Sequence, residues 1–195
     1  MSLTSIIAIF VAGLFTNNYI VVQFLGICPF MGLSKKIDSA IGMGVAVTFV
    51  MVITSLVTYP IYKYVMVPLG IEYLEIIVFI FVIASLVQIL EMVIKKISPT
   101  LYSTMGVYLP LITTNCAILG VAELNLTSEL VSGVASAFFN GLASGLGFTL
   151  AIVLLAGLRE KVDNLPVAKS LKGFPISMIA AALMAMAFYV FTFVA

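Results

Sequence analysis

The sequence contains no histidine and no tryptophan, only two cysteines, and charged residues at just 9% of its 195 positions. The absence of histidine removes imidazole both as a metal ligand and as a general base. Two cysteines are too few for a disulfide scaffold. A soluble domain carries about 25% charged residues, whereas 63% of this chain is hydrophobic. The composition therefore predicts an integral membrane protein whose extramembrane chemistry belongs to partners.

Hydrophobic runs separated by charged or turn-rich breaks divide the chain into six predicted spans, each long enough to cross a bilayer as a helix. Their predicted bounds are 4–33, 39–60, 71–94, 101–122, 128–157 and 173–194. The predicted fold class is an all-α integral membrane protein with six transmembrane helices.

The first and fourth spans carry polar residues or helix breakers within the apolar run. As one helix, 4–33 would be about 45 Å long and would overshoot the hydrocarbon core, and residues 15–18 (Phe-Thr-Asn-Asn) interrupt it. In the fourth span, Pro110 precedes the polar residues 113–115. Irregular backbone at membrane depth persists only where it is buried in protein or faces a cavity. Both spans are therefore predicted to be broken helices.

The fifth span is rich in small residues, which allow a neighbouring helix to approach closely. They are Gly133, Ala135, Ser136, Gly141, Ala143, Ser144, Gly145 and Gly147. We interpret this face as a packing surface.

Loop charges predict the orientation. If the loop after the first span is cytoplasmic, eight of the nine basic residues lie inside and only Lys63 lies outside. The eight are Lys35, Lys36, Lys95, Lys96, Arg159, Lys161, Lys169 and Lys172. The positive-inside rule then places both termini on the extracytoplasmic side.

The two halves of the chain share one pattern. Cys28 and Cys116 are 88 residues apart, each lies in the first of three spans, and each precedes a glycine by four positions. Residues 1–97 and 98–195 are therefore predicted to be two three-span repeats within one membrane domain. An odd number of spans per repeat gives the repeats opposite orientations, with broken helices 1 and 4 entering from opposite sides.

The spacing from each cysteine to the next charge, Lys35 or Glu123, predicts that both thiols lie within about 5 Å of the membrane midplane. They could be small buried hydrophobic residues, a disulfide or metal ligands. An iron–sulfur cluster or a closed zinc site takes four ligands, and no histidine or midplane carboxylate completes the set here. A cluster would therefore need two ligands from a second subunit.

Several polar residues near the cysteines are candidates for hydrogen bonding to the sulfurs, or alternatively for satisfying broken backbone. These candidates are Asn17, Asn18, Gln23, Thr113, Thr114 and Asn115. Glu91 is interpreted mainly as an interfacial residue near Lys95, and it is also a candidate for an ion path.

Most of the chain closely resembles the RnfA/NqrE family of membrane subunits, and the sequence of its first cysteine motif is more similar to the RnfA branch than to the NqrE branch. The resemblance rests on residues 17–18, 22–36, 42–44, 48–51, 88–93, 98–102, 109–120 and 159–160. Both cysteine motifs, FLGICPFMG and LPLITTNCAILG, are included and are specific to the family.

This resemblance implies membership of a complex that couples electron transfer between ferredoxin and NAD to sodium-ion or proton transport in a bacterial or archaeal cytoplasmic (inner) membrane. It implies a [2Fe–2S] cluster shared with a homologous RnfE-like subunit, with Cys28 and Cys116 as this chain's ligands. Other Rnf subunits would carry flavins and further iron–sulfur clusters. No flavin or nucleotide motif is visible in the sequence, so no catalytic residue is expected in this chain alone.

We hypothesise that reduction of the cluster shifts the two repeats relative to each other and alternates access for the ion. The alternatives are a secondary transporter or ion-channel subunit without a redox role, because inverted repeats with broken helices suit those functions as well, or a passive assembly subunit.

Overall fold

The computed structural model describes residues 3–16, 18–34, 37–97, 109–128, 131, 133–163 and 173–194. Every regular element in these residues is helical and none is a strand. The all-α class predicted from the sequence is therefore confirmed.

The first hydrophobic run is interrupted, as expected. Helix α1, Leu3–Val11, passes into a π-helical turn at Ala12–Thr16 and then into turns over residues 18–26. Helix α2, Ile27–Leu33, follows. A π turn is a common device where a helix is broken at a functional site. Asn17 lies outside the described residues.

The second span is longer than predicted. Helix α3, Ile37–Ile61, continues through a π turn at Tyr62–Met66 and a last turn at Val67–Leu69. The predicted end at Pro60 was wrong. A proline inside a helix removes one hydrogen bond and can kink the helix without ending it, and here a π turn directly after Pro60 lets the helix continue. Gly70, with φ 67°, ends the helix in the left-handed conformation that glycine adopts easily.

A 3-10 turn at Glu72–Leu74 and five α-helices complete the described chain: α4 Glu75–Ile97, α5 Leu109–Thr113, α6 Cys116–Thr127, α7 Val134–Asp163 and α8 Phe174–Val194. The break between α5 and α6 falls inside the fourth predicted span, whose beginning, 101–108, lies outside the described residues. The fifth span starts and ends later than the predicted 128–157. Its start is set by Ser136, whose hydroxyl accepts a hydrogen bond from the Gly133 N–H at 2.9 Å.

Helices α3 and α7 pack closely enough for backbone to meet side chain. A Cβ on Gly145 would lie 2.7 Å from the Cα of Thr48, and one on Gly44 would lie 2.6 Å from Cγ2 of Thr149. The hydroxyls of these two threonines are 3.1 Å apart. The small residues from Gly141 to Gly147 are thus in the predicted packing surface, and α7 is the central helix of the core. Ala135 is exposed and a Cβ on Gly133 would meet no heavy atom within 4 Å, so these two residues lie outside that surface.

Three helical stretches in the described chain are long and apolar enough to cross a membrane: Ile37–Leu69, Glu75–Met92 and Val134–Val162. A shorter apolar helix covers Phe174–Val190. Large apolar side chains point outward along these helices, as with Phe81, which is 72% exposed. Such surfaces need a lipid or protein environment. The arrangement as six spans in two inverted repeats stays a prediction.

Candidate functional site

Each cysteine lies in the first turn of a short helix. Cys28 is the second residue of α2, and Cys116 is the first residue of α6. Both side chains are exposed on the surface of the single chain, and neither forms a disulfide. The thiols are therefore not packed inside this protein, and they are available to groups outside it.

Local sequence fixes where both helices begin. Asn115 has extended backbone, φ −75° and ψ 110°, and its Oδ1 accepts a hydrogen bond from the Ala117 N–H at 3.1 Å. This is the N-cap interaction that asparagine favours. Gly26 precedes α2 with φ 80°, a conformation that costs glycine little and other residues more.

The two cysteine segments meet directly. The N–H of Gly26 donates a hydrogen bond to Sγ of Cys116, with a nitrogen–sulfur distance of 2.9 Å. A side chain at Gly26 would be crowded, because a Cβ would lie 3.0 Å from both Ala117 Cβ and Asn115 Oδ1 and 3.1 Å from Phe148 Cε2. The turn before Cys28 is thus locked onto the cap of the helix that carries Cys116.

The donor set fits half of a cluster site. In the described residues, no group of three or more histidine, cysteine, aspartate or glutamate side chains could hold a metal ion. Two adjoining segments present one exposed thiol each, and one sulfur accepts a backbone N–H, which is the kind of bond that tunes thiolate ligands. Two exposed thiols on adjoining segments therefore fit two of the four thiolate ligands that such a cluster takes.

The polar residues before Cys116 have different surroundings. The Thr114 hydroxyl donates to the Pro110 carbonyl at 2.9 Å within its own turn. Nδ2 of Asn115 is buried and has no partner among the described atoms. Thr113, Thr114, Asn115 and Cys116 line one groove of about 340 Å³ together with residues of α4. Asn115 is thus the candidate in this segment that keeps a free donor.

The polar residues before Cys28 point elsewhere. Asn18 is fully buried, and its Nδ2 donates to the Gly147 carbonyl at 2.9 Å and to the Leu14 carbonyl at 3.2 Å. Its Oδ1 accepts from the Ile20 N–H at 3.2 Å. Asn18 therefore satisfies backbone at the break, which was the alternative interpretation of these residues, whereas Gln23 lines a separate cavity.

That cavity, about 150 Å³, has a wall of mixed polar and apolar residues. Its polar side chains are Tyr19, Gln23, Ser128 and Asn140. The Tyr19 side chain forms hydrogen bonds with Asn140 and Ser144. These groups lie beside the π turn of the first broken helix.

A line of amides continues from this cavity into the core. Nδ2 of Asn140 donates to Oδ1 of Asn125 at 2.7 Å, and Nδ2 of Asn125 donates to the Ser55 hydroxyl at 3.0 Å. The line joins the two predicted repeats. Asn125 and Ser55 were not predicted as site residues, because Asn125 lies in a predicted loop and a single serine in an apolar run carries little signal.

Glu91 lies on α4 and is half-buried. Its predicted part in an ion path stays a prediction.

Comparison with known proteins gives a consistent result. Residues 6–195 match the family described as "Rnf-Nqr subunit, membrane protein". The chain is 52% identical over 188 residues to the A subunit of the Na(+)-translocating ferredoxin:NAD(+) oxidoreductase complex of Acetobacterium woodii, covering 96% of this chain and 97% of that protein. It is 48% identical over 186 residues to the A subunit of the ion-translocating oxidoreductase complex of Ectopseudomonas mendocina, covering 95% of each. The corresponding protein of Azotobacter vinelandii is 47% identical and covers 97% of each chain.

Proposed function

The chain belongs to the Rnf-Nqr family of membrane subunits, and we propose that it is a subunit of an ion-translocating ferredoxin:NAD+ oxidoreductase of the Rnf type. Relatives that match nearly its whole length are the A subunits of ion-translocating oxidoreductase complexes. Within that multi-subunit enzyme we assign it half of an electron carrier and part of an ion path, with no catalytic residue of its own.

The observation that carries the redox assignment is the hydrogen bond of 2.9 Å from the Gly26 N–H to Cys116 Sγ. It joins the two cysteine segments, so that a [2Fe–2S] cluster could be held by Cys28 and Cys116 together with two cysteines of a homologous membrane subunit. Bound there, the cluster would supply one-electron transfer at a stop between carriers on the two faces of about 30 Å of hydrocarbon.

This chain's residues would act on the sulfurs and on the partner. The Gly26 N–H would stabilise negative charge on Cys116, and the buried Nδ2 of Asn115, one residue before Cys116, is a candidate second donor. Phe24 is 61% exposed although its φ of 57° is strained for a phenylalanine. Phe24 lies four positions before Cys28, and its backbone strain holds an aromatic ring on the surface of the chain. We therefore place Phe24 in the contact with the homologous subunit.

The polar cavity supports the ion-transport assignment. Its described polar side chains, Tyr19, Gln23, Ser128 and Asn140, are all uncharged, and neutral oxygens in an irregular helix suit a partly dehydrated sodium ion. None of them exchanges a proton near neutral pH, because even in water a tyrosine phenol loses its proton only at a pH of about 10. The cavity therefore favours sodium ion over proton as the coupling ion.

The proposed membrane arrangement follows from the two halves of the sequence. Repeats 1–97 and 98–195 would have inverted orientation, and both termini would be extracytoplasmic in the cytoplasmic (inner) membrane of the host. The line of amides from Asn140 to Ser55 crosses between the two repeats. A shift of one repeat against the other would break it, which makes it a suitable element for alternating access.

The test measures electron transfer from reduced ferredoxin to NAD+ and the accompanying 22Na+ uptake in inverted vesicles that contain the whole complex. Cys28→Ser and Cys116→Ser should each abolish both activities while the subunits still co-purify. Thr114→Ala, two positions before Cys116, serves as the control and should leave both activities in place, because the Thr114 hydroxyl is already bonded to the Pro110 carbonyl.

The polar cavity also favours a second candidate function, a sodium carrier without redox chemistry. Under that function the serine variants would retain sodium uptake driven by an imposed sodium gradient, and they would retain ferredoxin oxidation by NAD+. Retention of both activities would overturn the redox assignment.

A further inference from the structure

One arginine is buried, whereas the other charged side chains with described burial are not. Arg159 is 7% exposed and is the only charged side chain among the buried residues of the described chain. It lies in the last two turns of α7, the central core helix. A buried guanidinium loses hydration, so it persists only where specific acceptors receive its N–H groups.

Those acceptors belong to the helix of Cys28. Nη1 of Arg159 donates to the Met31 carbonyl at 2.9 Å and to the Ser34 hydroxyl at 2.7 Å. Ser34 is the C-cap residue of α2 and is fully buried. The last carbonyls of a helix lack partners within it and attract positive charge. Arg159 therefore satisfies the end of α2 that points away from Cys116.

Both of these bonds come from Nη1, whereas Nε of the same guanidinium is buried without a partner among the described atoms. Helix α2 is consequently fixed at both ends. Gly26 anchors its first turn to Cys116, and Arg159 anchors its last turn to α7. Between these two anchors, Phe30 and Met31 of the seven-residue helix pack in the hydrophobic core.

We propose that Arg159 is a positioning residue that fixes Cys28 relative to Cys116 by holding the far end of α2 against α7. The proposal rests on the proposed function for its consequence, since this spacing would decide whether both thiols reach one cluster. The charge has its own effect, because a cation near α2 stabilises the more negative, reduced form of a group bound at Cys28.

The first experiment measures geometry without any cluster. The full chain in membranes is treated with a membrane-permeant maleimide, and mass spectrometry gives the ratio of Cys28 to Cys116 labelling, with Cys116 as the internal reference. Arg159→Gln should change this ratio several-fold, and Arg159→Lys should restore much of it. Lys161→Gln, an exposed cation two residues further along α7, is the matched control and should leave it unchanged.

Ser34→Ala separates geometry from charge and guards against a variant that fails to fold. It removes one of the two bonds but keeps the guanidinium, so the labelling ratio should change to a smaller extent. In the whole complex, a redox titration followed by EPR would give the reduction potential of the proposed cluster. This potential should fall in Arg159→Gln and should stay near the wild-type value in Arg159→Lys and Ser34→Ala.

An unchanged labelling ratio in both folded Arg159→Gln and Ser34→Ala would overturn the positioning role. This outcome is distinct from failure of the proposed function, which would appear as a wild-type complex without iron at these cysteines. The labelling ratio decides the role of Arg159 in either case.

Discussion

At the scale of single residues, Gly26 connects the two cysteine segments. Its φ of 80° favours glycine, and its missing side chain leaves room for Ala117, Asn115 and Phe148. We expect Gly26→Ala to combine left-handed strain of about 1–2 kcal/mol with a displacement of α2. The variant should unfold earlier in detergent and should lose the cluster signal.

Gly32→Ala is the matched control for Gly26→Ala. Gly32 lies in the same short helix, and a Cβ there would have no heavy atom within 4 Å. This substitution should be neutral or stabilising by up to about 1 kcal/mol, since alanine favours helix more than glycine does. Equal thermal unfolding and equal EPR signals in both variants would mean that the Gly26 contact does not matter.

Asn115 has two separable roles, a cap acceptor and a free amide donor. Asn115→Ser keeps a good N-cap and removes the donor, whereas Asn115→Ala removes both. We expect the alanine variant to lose about 1 kcal/mol of stability and the serine variant to lose little. Both should show a lower cluster potential in a redox titration.

Thr114→Ala serves as the control in that titration. Its hydroxyl is already bonded to the Pro110 carbonyl, so its removal should leave the potential unchanged. A potential that moves with Thr114 and not with Asn115 would reverse the assignment of the sulfur donor in this segment.

Single residues also show what the sequence could predict. Cys28, Cys116 and Asn115 were recognisable because polar or reactive residues are unusual in apolar runs. Arg159 was interpreted only as a cytoplasmic loop charge, because its partners Met31 and Ser34 lie more than 120 residues away in the sequence. Contacts between distant segments need the packed structure.

At the scale of helices, the core depends on the contact between α3 and α7. A Cβ on Gly145 would meet the Thr48 backbone at 2.7 Å, and backbone cannot rotate out of the way as a side chain can. We expect Gly145→Ala to destabilise the protein by about 1–3 kcal/mol through overpacking. Thermal unfolding in detergent measures this change.

Gly157→Ala, in the same helix, is the control for Gly145→Ala. A Cβ at Gly157 has no heavy atom within 4 Å, so this variant should gain helix propensity and unfold no earlier than wild type. Similar losses at both positions would show that the close approach of α3 and α7 is not important for stability.

Helix boundaries were predicted less well than helix interruptions. The breaks in the first and fourth spans followed from polar residues and a proline at membrane depth. The continuation of α3 beyond Pro60 did not, because a π turn is an adjustment of hydrogen bonding without a composition signal. The late start of α7 depends on a single hydrogen bond, from the Gly133 N–H to the Ser136 hydroxyl.

At the scale of the whole molecule, the loop charges predict how the chain is oriented in the membrane. Lys63 and Lys96 are both exposed and are predicted to lie on opposite sides of the membrane. In intact cells, Lys63→Cys should react with a membrane-impermeant maleimide, whereas Lys96→Cys should react only after permeabilisation. The native cysteines are predicted to be near the midplane and should stay unlabelled.

The reverse labelling pattern would invert the topology. Equal labelling of Lys63→Cys and Lys96→Cys in intact cells would rule out the six-span arrangement.

The central claim is that this protein supplies half of a shared cluster site. Low-temperature EPR, oxidised and dithionite-reduced, should be recorded on membranes that contain the chain with its homologous partner. We predict a reduced [2Fe–2S]-type signal that disappears in Cys28→Ser and in Cys116→Ser, with matching iron and sulfide in the purified pair. A correctly assembled wild-type pair without iron would contradict the claim and would leave the sodium carrier as the better account.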